Sequence, residues 1–450
     1  MQLTYGVNDK PSFGKLIVFA LQQLLAILAA TIAVPAIVGN GMSQSAALFG
    51  AGVGTIVYLL FTKFKSPVFL GSSFAFLPSL AAAFGGAAST SVGYAGLLIG
   101  AALAGLVYVV IAIVVKFAGV QWISKLMPPV VIGPTVAIIG LSLAGNAISD
   151  SLAGAFDASL SAYVMTPHVW VCLICALVTL FTVIACSVFG KKMAKLIPFI
   201  LGILAGYAVA LIFTLIGNAS GNAELVILDF SKFSNMKWVP DFTFIEAFKG
   251  FGAVTGEYIA TVAVAYVPVA FVVFAEHIAD HKNLSSIIGT ELLEEPGLHR
   301  TLLGDGVGSI AGAFFGGCPN TTYGESVGCV AITGNASVVT ILTTAILAIL
   351  ASFFGPFVTF LSTIPGCVMG GVCITLYGFI AVSGLKMLQP VDLGDNRNLF
   401  TASVILIAGI GGMALQIGSV KLTAIAAALI LGMIVNAVFN KKEAPKEDAE

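Results

Sequence analysis

The chain has 450 residues, of which 58% are hydrophobic and 9% charged, with a mean hydropathy of +1.05. A soluble protein carries roughly 25% charged residues, so this composition excludes an ordinary globular domain and indicates a polytopic membrane protein. The net charge of −1 and the lack of a basic run beyond a short tail give no support to a nucleic-acid partner.

The polar start, MQLTYGVNDKPSFGKL, lacks a small-residue cleavage site, which predicts an uncleaved first span rather than a signal peptide. Windows of about 20 apolar residues, the length a helix needs to cross a bilayer, then follow. In the first half they fall at 16–38, 44–62, 67–84, 93–116, 126–145, 168–189 and 195–217. In the second they fall at 258–288, 298–316, 320–334, 337–362, 366–385, 398–416 and 420–440. The expected architecture is therefore all-α, with fourteen transmembrane segments. Segments three (SPVFLGSSFAFLPSLAAAFGG) and ten (PNTTYGESVGCVAIT) are short, rich in Gly, Pro and hydroxyl residues, and contain β-favouring pieces, so half-helices with short strands are expected there.

Charge bias supports the count. With the N-terminus in the cytoplasm, only Lys232, Lys237, Lys249 and Lys421 of the 20 basic residues fall outside, as the positive-inside tendency requires. Dropping one span from the middle would invert every later loop, so both termini are expected in the cytoplasm. Trp122 and Trp170 start spans five and six, where interfacial anchors belong. The broken segments are third in each set of seven. An odd-numbered repeat in tandem must be inverted, and such interrupted segments at matching positions point to a transporter binding site.

The seven cysteines are scattered. Cys172-x-x-Cys175 lies in an apolar helix without a second pair and reads as small core residues rather than a metal or redox motif. Gly304, Gly308, Gly312 and Gly316 form a ridge at four-residue spacing that lets another helix approach closely. Nucleotide binding is a poor alternative there, because no βαβ unit surrounds the glycines.

Two acids lie inside apolar stretches, Glu276 in VPVAFVVFAEHIAD and Glu325 in segment ten. A carboxylate in hydrocarbon costs a few kcal/mol or more, so each is a candidate for binding substrate or carrying a proton. Asp280 lies four residues beyond Glu276 on the same helix face, and two carboxylates so close resist ionising together, as suits a proton carrier. His277 and His281 share the spacing of metal ligands, but no HExxH pattern accompanies them. Glu325 follows Gly324 at the start of a half-helix, where free backbone N–H groups gather beside a carboxylate acceptor. Donors and acceptors side by side suit a neutral heterocycle with alternating N–H and C=O groups. The matching half-helix offers Ser72, Ser73 and Phe74. Gly324-Glu325-Ser326-Val327-Gly328 fits the G-x-S-x-G pattern of hydrolases, but that motif needs a later histidine, and His168, His277, His281 and His299 all precede Ser326.

The stretches LGSSFAF, AEHIADH, EEPGLHR, PNTTYGESVGCVAIT and IPGCVMGGVCITLYG resemble the nucleobase–ascorbate transporter family (nucleobase:cation symporter-2), its bacterial uracil:proton symporters most closely. The resemblance runs from LQQLLAILAATIAVP to the last span. It implies a core domain (16–118 and 251–363, spans one to four and eight to eleven), a gate domain (119–250 and 364–440) and a cytoplasmic tail (441–450). By the family pattern, Glu276 and Glu325 would hydrogen-bond the base. Backbone N–H groups of Phe74 and Gly324 would meet its carbonyls beside Ser73, Tyr323 would flank it and Tyr377 would lie near. Proton coupling would fall to Glu276, Asp280 and Glu325, with the proton as coupling ion and no cofactor or metal. The implied setting is a multi-pass protein of the cell membrane that forms a homodimer. Two departures stand out: Gln22-Gln23 where many members have Gln-His, and Asp280 where bacterial uracil carriers place a histidine. The Gly324-Glu325 form favours uracil over the Gln-Asn form of xanthine and urate carriers.

The leading expectation is thus proton-coupled import of a nucleobase, most simply uracil, with a xanthine or urate permease as the alternative. An anion carrier of the same fold is disfavoured, because two acids in the site would repel an anion. An enzyme is disfavoured for want of a nucleophile–base pair, and a channel or scaffold would have little use for buried acids beside broken helices.

Overall fold

The computed structural model describes residues 3–119, 127–191, 193–417 and 420–439. Trp122, Lys125, Lys192, Lys441, Lys442, Lys446 and the expected tail 441–450 lie outside the described residues. Helix occupies every predicted apolar window. In chain order these are α1 (Phe13–Val38), α2 (Gln44–Phe61), strand β1 (Leu70–Ser72), α3 (Leu77–Gly85), α4 (Thr90–Ala118), α5 (Pro129–Ser142), α6 (Ala144–Ser151), α7 (Pro167–Phe189) and α8 (Pro198–Ser220). The second half continues with α9 (Thr243–Gly250), α10 (Gly256–Ile288), α11 (Leu298–Gly316), strand β2 (Asn320–Thr322), α12 (Gly324–Thr333), α13 (Val338–Ser352), α14 (Gly355–Thr363), α15 (Gly366–Met387), α16 (Asn396–Ile410) and α17 (Ala424–Phe439).

Among the described residues, eight helices are long and apolar enough to cross a membrane, counting α5 and α6 together as Pro129–Ser151, or nine if α13 and α14, bent by 81°, form one broken span. That bend departs from the single window predicted at 337–362. It falls where Gly355-Pro356 begins a new helix, as proline favours. Helix α9 was not expected; the run TFIEAFKG is too short and too polar to register as a span. Trp170 is 53% exposed at the start of α7. Cys172 and Cys175 are buried in the same helix.

The glycine ridge of α11 packs on α2. A Cβ on Gly308 would lie 2.7 Å from the Gly54 carbonyl oxygen, and one on Gly304 would lie 3.0 Å from the Tyr58 ring. Only residues without side chains allow backbones this close. Gly317 (φ 76) then ends α11 in the left-handed region and turns the chain toward β2.

The helices pack in two groups. In one, α2 lies on α11, α13 and α1, while α4 lies on α10 and α11. In the other, α15 lies on α5, α6 and α7, α7 on α8, and α16 on α5 and α17. The groups meet through lighter contacts, among them α1 on α8 and α10 on α17.

Candidate functional site

The two interrupted segments meet inside the first group. Strands β1 and β2 pair antiparallel, with Leu70 opposite Thr322, Gly71 opposite Thr321 and Ser72 opposite Asn320. The junction is bonded on all sides. Ser73 N donates to Pro319 O at 2.9 Å and Tyr323 N to Phe69 O at 3.2 Å. The Tyr323 hydroxyl donates to Ser72 O at 2.8 Å. The Asn320 amide donates to Gly50 O of α2 at 3.1 Å. Ser326 Oγ accepts from Phe69 N at 2.9 Å and from the Gln23 amide. Ser326, the apparent nucleophile of the G-x-S-x-G match, is therefore a staple between α1, the strand junction and α12.

Beyond each strand a helix begins without a side-chain cap, the 3₁₀ turn Phe74–Phe76 leading into α3 after Ser73 and α12 after Tyr323. Their first N–H groups lack intrahelical partners, and the positive end of each helix dipole gathers there. Both starts line one cavity of about 360 Å³, together with Glu276 and Asp280 of α10. That volume falls within the roughly 300–1,000 Å³ typical of small-molecule sites.

The cavity brings together Ser73, Phe74, Glu276, Asp280, Tyr323, Gly324 and Glu325. Among the described residues its lining holds the carboxylates of Glu276, Asp280 and Glu325 and no Lys or Arg; the rest is largely apolar, including Val136, Ile139, Phe199, Leu376 and Phe379 from the second helix group. Asp280 Oδ2 accepts from Thr322 Oγ1 at 2.8 Å, and its other oxygen would lie 3.8 Å from a Cβ on Gly324. Tyr377 stands behind the lining, its ring edge-on to Phe74 at 6.1 Å between centroids. The cavity reaches Ser383 and Met387 near the C-terminal end of α15. A separate cavity of about 700 Å³ reaches Gly366 and Met369 at the opposite end of that helix.

Two features escaped the sequence reading. Thr321 of β2 lines the cavity, and its buried hydroxyl, like that of Ser73, has no hydrogen-bond partner among the described residues. Strand alternation could have flagged it. Asp305, in the middle of the glycine ridge, is an intramembrane acid of the kind that singled out Glu276. It lies 2.7 Å from His277 Nδ1. His281 instead faces the Tyr58 hydroxyl at 2.6 Å, so the two histidines at four-residue spacing serve different partners.

The sequence matches the Permease family (Xan_ur_permease) over residues 14–418. It is 42% identical over 436 residues to the uracil permease of Bacillus caldolyticus, covering 96% of this chain and 94% of that protein. It is 39% identical over 456 residues to the uracil permease of Bacillus subtilis (strain 168), covering 100% and 98%. In structure it is similar to the transmembrane domain of the cyanobacterial bicarbonate transporter BicA, with a TM-score of 0.65 at 15% identity over 95% of this chain and 98% of that one. At that identity the likeness speaks for the fold alone. The interrupted helices, the acid-lined cavity and a match across nearly the whole chain agree: this protein is a multi-pass membrane transporter, not an enzyme, and belongs to the Xan_ur_permease family of permeases.

Proposed function

We propose that the chain imports a nucleobase, uracil in the first instance, by proton symport. The observation that carries this reading is the meeting of two uncapped half-helix starts with three carboxylates in one cavity whose lining, among the described residues, has no cation. Backbone N–H groups at Phe74 and Gly324 are suited to carbonyl oxygens, and the carboxylates of Glu276 and Glu325 to ring N–H groups. A planar heterocycle with alternating C=O and N–H uses both sets, with Phe74 and Tyr323 against its faces. The curated relatives that bear the name uracil permease support the choice of base.

On this reading the first helix group is the core domain and the second the gate domain, related as a seven-plus-seven inverted repeat of fourteen segments. Cavities at opposite ends of α15 suit alternating access. With both termini in the cytoplasm, the C-terminal end of α15 faces inward, so the acid-lined cavity is in its inward-facing state. Glu276 is the principal proton carrier, with Asp280 its coupled neighbour and Glu325 held for the base, and the protein works in the cell membrane as a homodimer. A purine such as xanthine is the second reading, favoured by Asp280, which lines the cavity where bacterial uracil carriers place a histidine. An anion is poorly served by three acids.

Glu276→Gln tests the assignment in proteoliposomes. The variant should lose accumulation of labelled uracil driven by an inward proton gradient. If it concentrates uracil as the parent does, the proton travels by another group.

A further inference from the structure

His277 of α10 and Asp305 of α11 are 0% and 1% exposed. His277 Nδ1 lies 2.7 Å from Asp305 Oδ2, and His277 Nε2 lies 3.0 Å from Thr301 Oγ1. The Thr301 oxygen also lies 3.1 Å from Leu298 O. A threonine hydroxyl has one hydrogen, so it serves one acceptor at a time. When Thr301 donates to Nε2, the imidazole is neutral, Nδ1–H donates to the Asp305 carboxylate, and the pair carries one negative charge. When Thr301 donates to Leu298 O, Nε2–H donates to Thr301 Oγ1, both ring nitrogens carry hydrogen, and the pair is neutral. Rotating one hydroxyl thus lets the pair take up one proton with each of these bonds remade.

A structural role accounts poorly for the acid. Asp305 Oδ1 and the Tyr108 hydroxyl, both buried, have no hydrogen-bond partner among the described residues. An under-solvated carboxylate is a costly way to hold a histidine that an amide could hold. The His281 ring stacks on His277 at 4.0 Å between centroids and itself meets the Tyr58 hydroxyl of α2. The Tyr108 ring of α4 lies edge-on to His277 at 6.5 Å, and Glu276 and Asp280 stand on the same helix, α10. The cation in α11, Arg300, is turned to Phe61 O at 3.0 Å instead.

We propose that His277 and Asp305 hold a proton of the transport cycle at a station outside the substrate cavity, taking it up and releasing it as the cavity acids change charge. This rests on the proton-symport reading above. The pair's charge alternates between −1 and 0 beside Glu276 and Asp280, so its state biases theirs without a continuous wire.

The test uses purified full-length protein in proteoliposomes with labelled uracil, measured under an inward proton gradient and as counterflow without one. Asp305→Asn should reduce gradient-driven accumulation to the level without a gradient while counterflow persists. Retention of both, or loss of both in a variant that still binds uracil, overturns the proposal. Should Asp305→Asn fail to fold, nitrogen-15 histidine NMR of the parent protein decides, with His277→Gln used to assign the signal. His277 Nε2 should change protonation across the pH range in which uptake changes, and a single protonation state throughout overturns the proposal. A parent protein that ignores the proton gradient would instead overturn the symport reading itself.

Discussion

Replacing Glu325 by Gln exchanges one carboxylate oxygen for an NH₂ group and leaves the shape of the side chain unchanged. Glu325 sits in the first turn of α12 and lines the cavity. A carboxylate accepting from a substrate N–H makes a charge-assisted bond of about 1.5–3 kcal/mol. The amide loses that charge, and when its NH₂ faces the substrate N–H two donors oppose each other in a confined space, adding about 1–2 kcal/mol. The sum, about 2.5–5 kcal/mol, corresponds to a loss of affinity between about 60-fold and about 4,000-fold. Removing the negative charge from the start of α12 costs only about 0.3–1 kcal/mol of helix stability, too little to unfold the protein. Calorimetric titration of uracil into the purified variant, with thermal unfolding as a control for folding, measures the effect. An affinity within about threefold of the parent would refute the assignment of Glu325 to the base, since a lost charge-assisted bond is worth more than that.

Further outcomes follow from the packing. Gly308→Ala should lower the melting temperature in detergent, because its Cβ would lie 2.7 Å from Gly54 O and overpacking costs about 1–3 kcal/mol. Gly328→Ala, where an added Cβ meets nothing within 4 Å, should leave it unchanged or raise it; equal losses at both sites would contradict the helix-contact account. Ser326→Ala should destabilise by about 1–3 kcal/mol, since the buried Phe69 N–H loses its acceptor while the Gln23 amide keeps only its longer bond to the Ser326 carbonyl oxygen. An unchanged melting temperature would mean that the staple bears no load. In competition against labelled uracil, unlabelled uracil and its 5-fluoro analogue should inhibit strongly and xanthine or urate weakly. The reverse order would favour the purine reading while leaving the fold in place.

What could be read from the sequence was what depends on local composition. Apolar windows placed the helices, because nothing but burial or lipid explains runs like LVYVVIAIVV. Glycine and proline in LGSSFAFLP and PNTTYG marked where the helices break, since those residues release backbone groups that must then be bonded elsewhere. Glu276, Asp280 and Glu325 drew attention because acids in such runs are rare. Long-range partners could not be read. Gln23 and Ser326 are 303 residues apart, and the spacing of His277 and His281 gave no sign that one faces Asp305 and the other Tyr58. Asp305 itself was obscured by the glycines around it, whose packing pattern is the stronger local signal. The bend before Gly355 depends on how α13 and α14 pack, which a hydropathy window averages away.

The central claim, that this permease couples a nucleobase to protons, is tested most directly by initial uptake of labelled uracil into proteoliposomes holding only the purified protein. Uptake should be measured under an inward proton gradient, no gradient and an outward gradient. The account predicts accumulation above the external concentration in the first case, equilibration in the second and depletion in the third, with the first abolished by a protonophore. Equal uptake under all three gradients would contradict it.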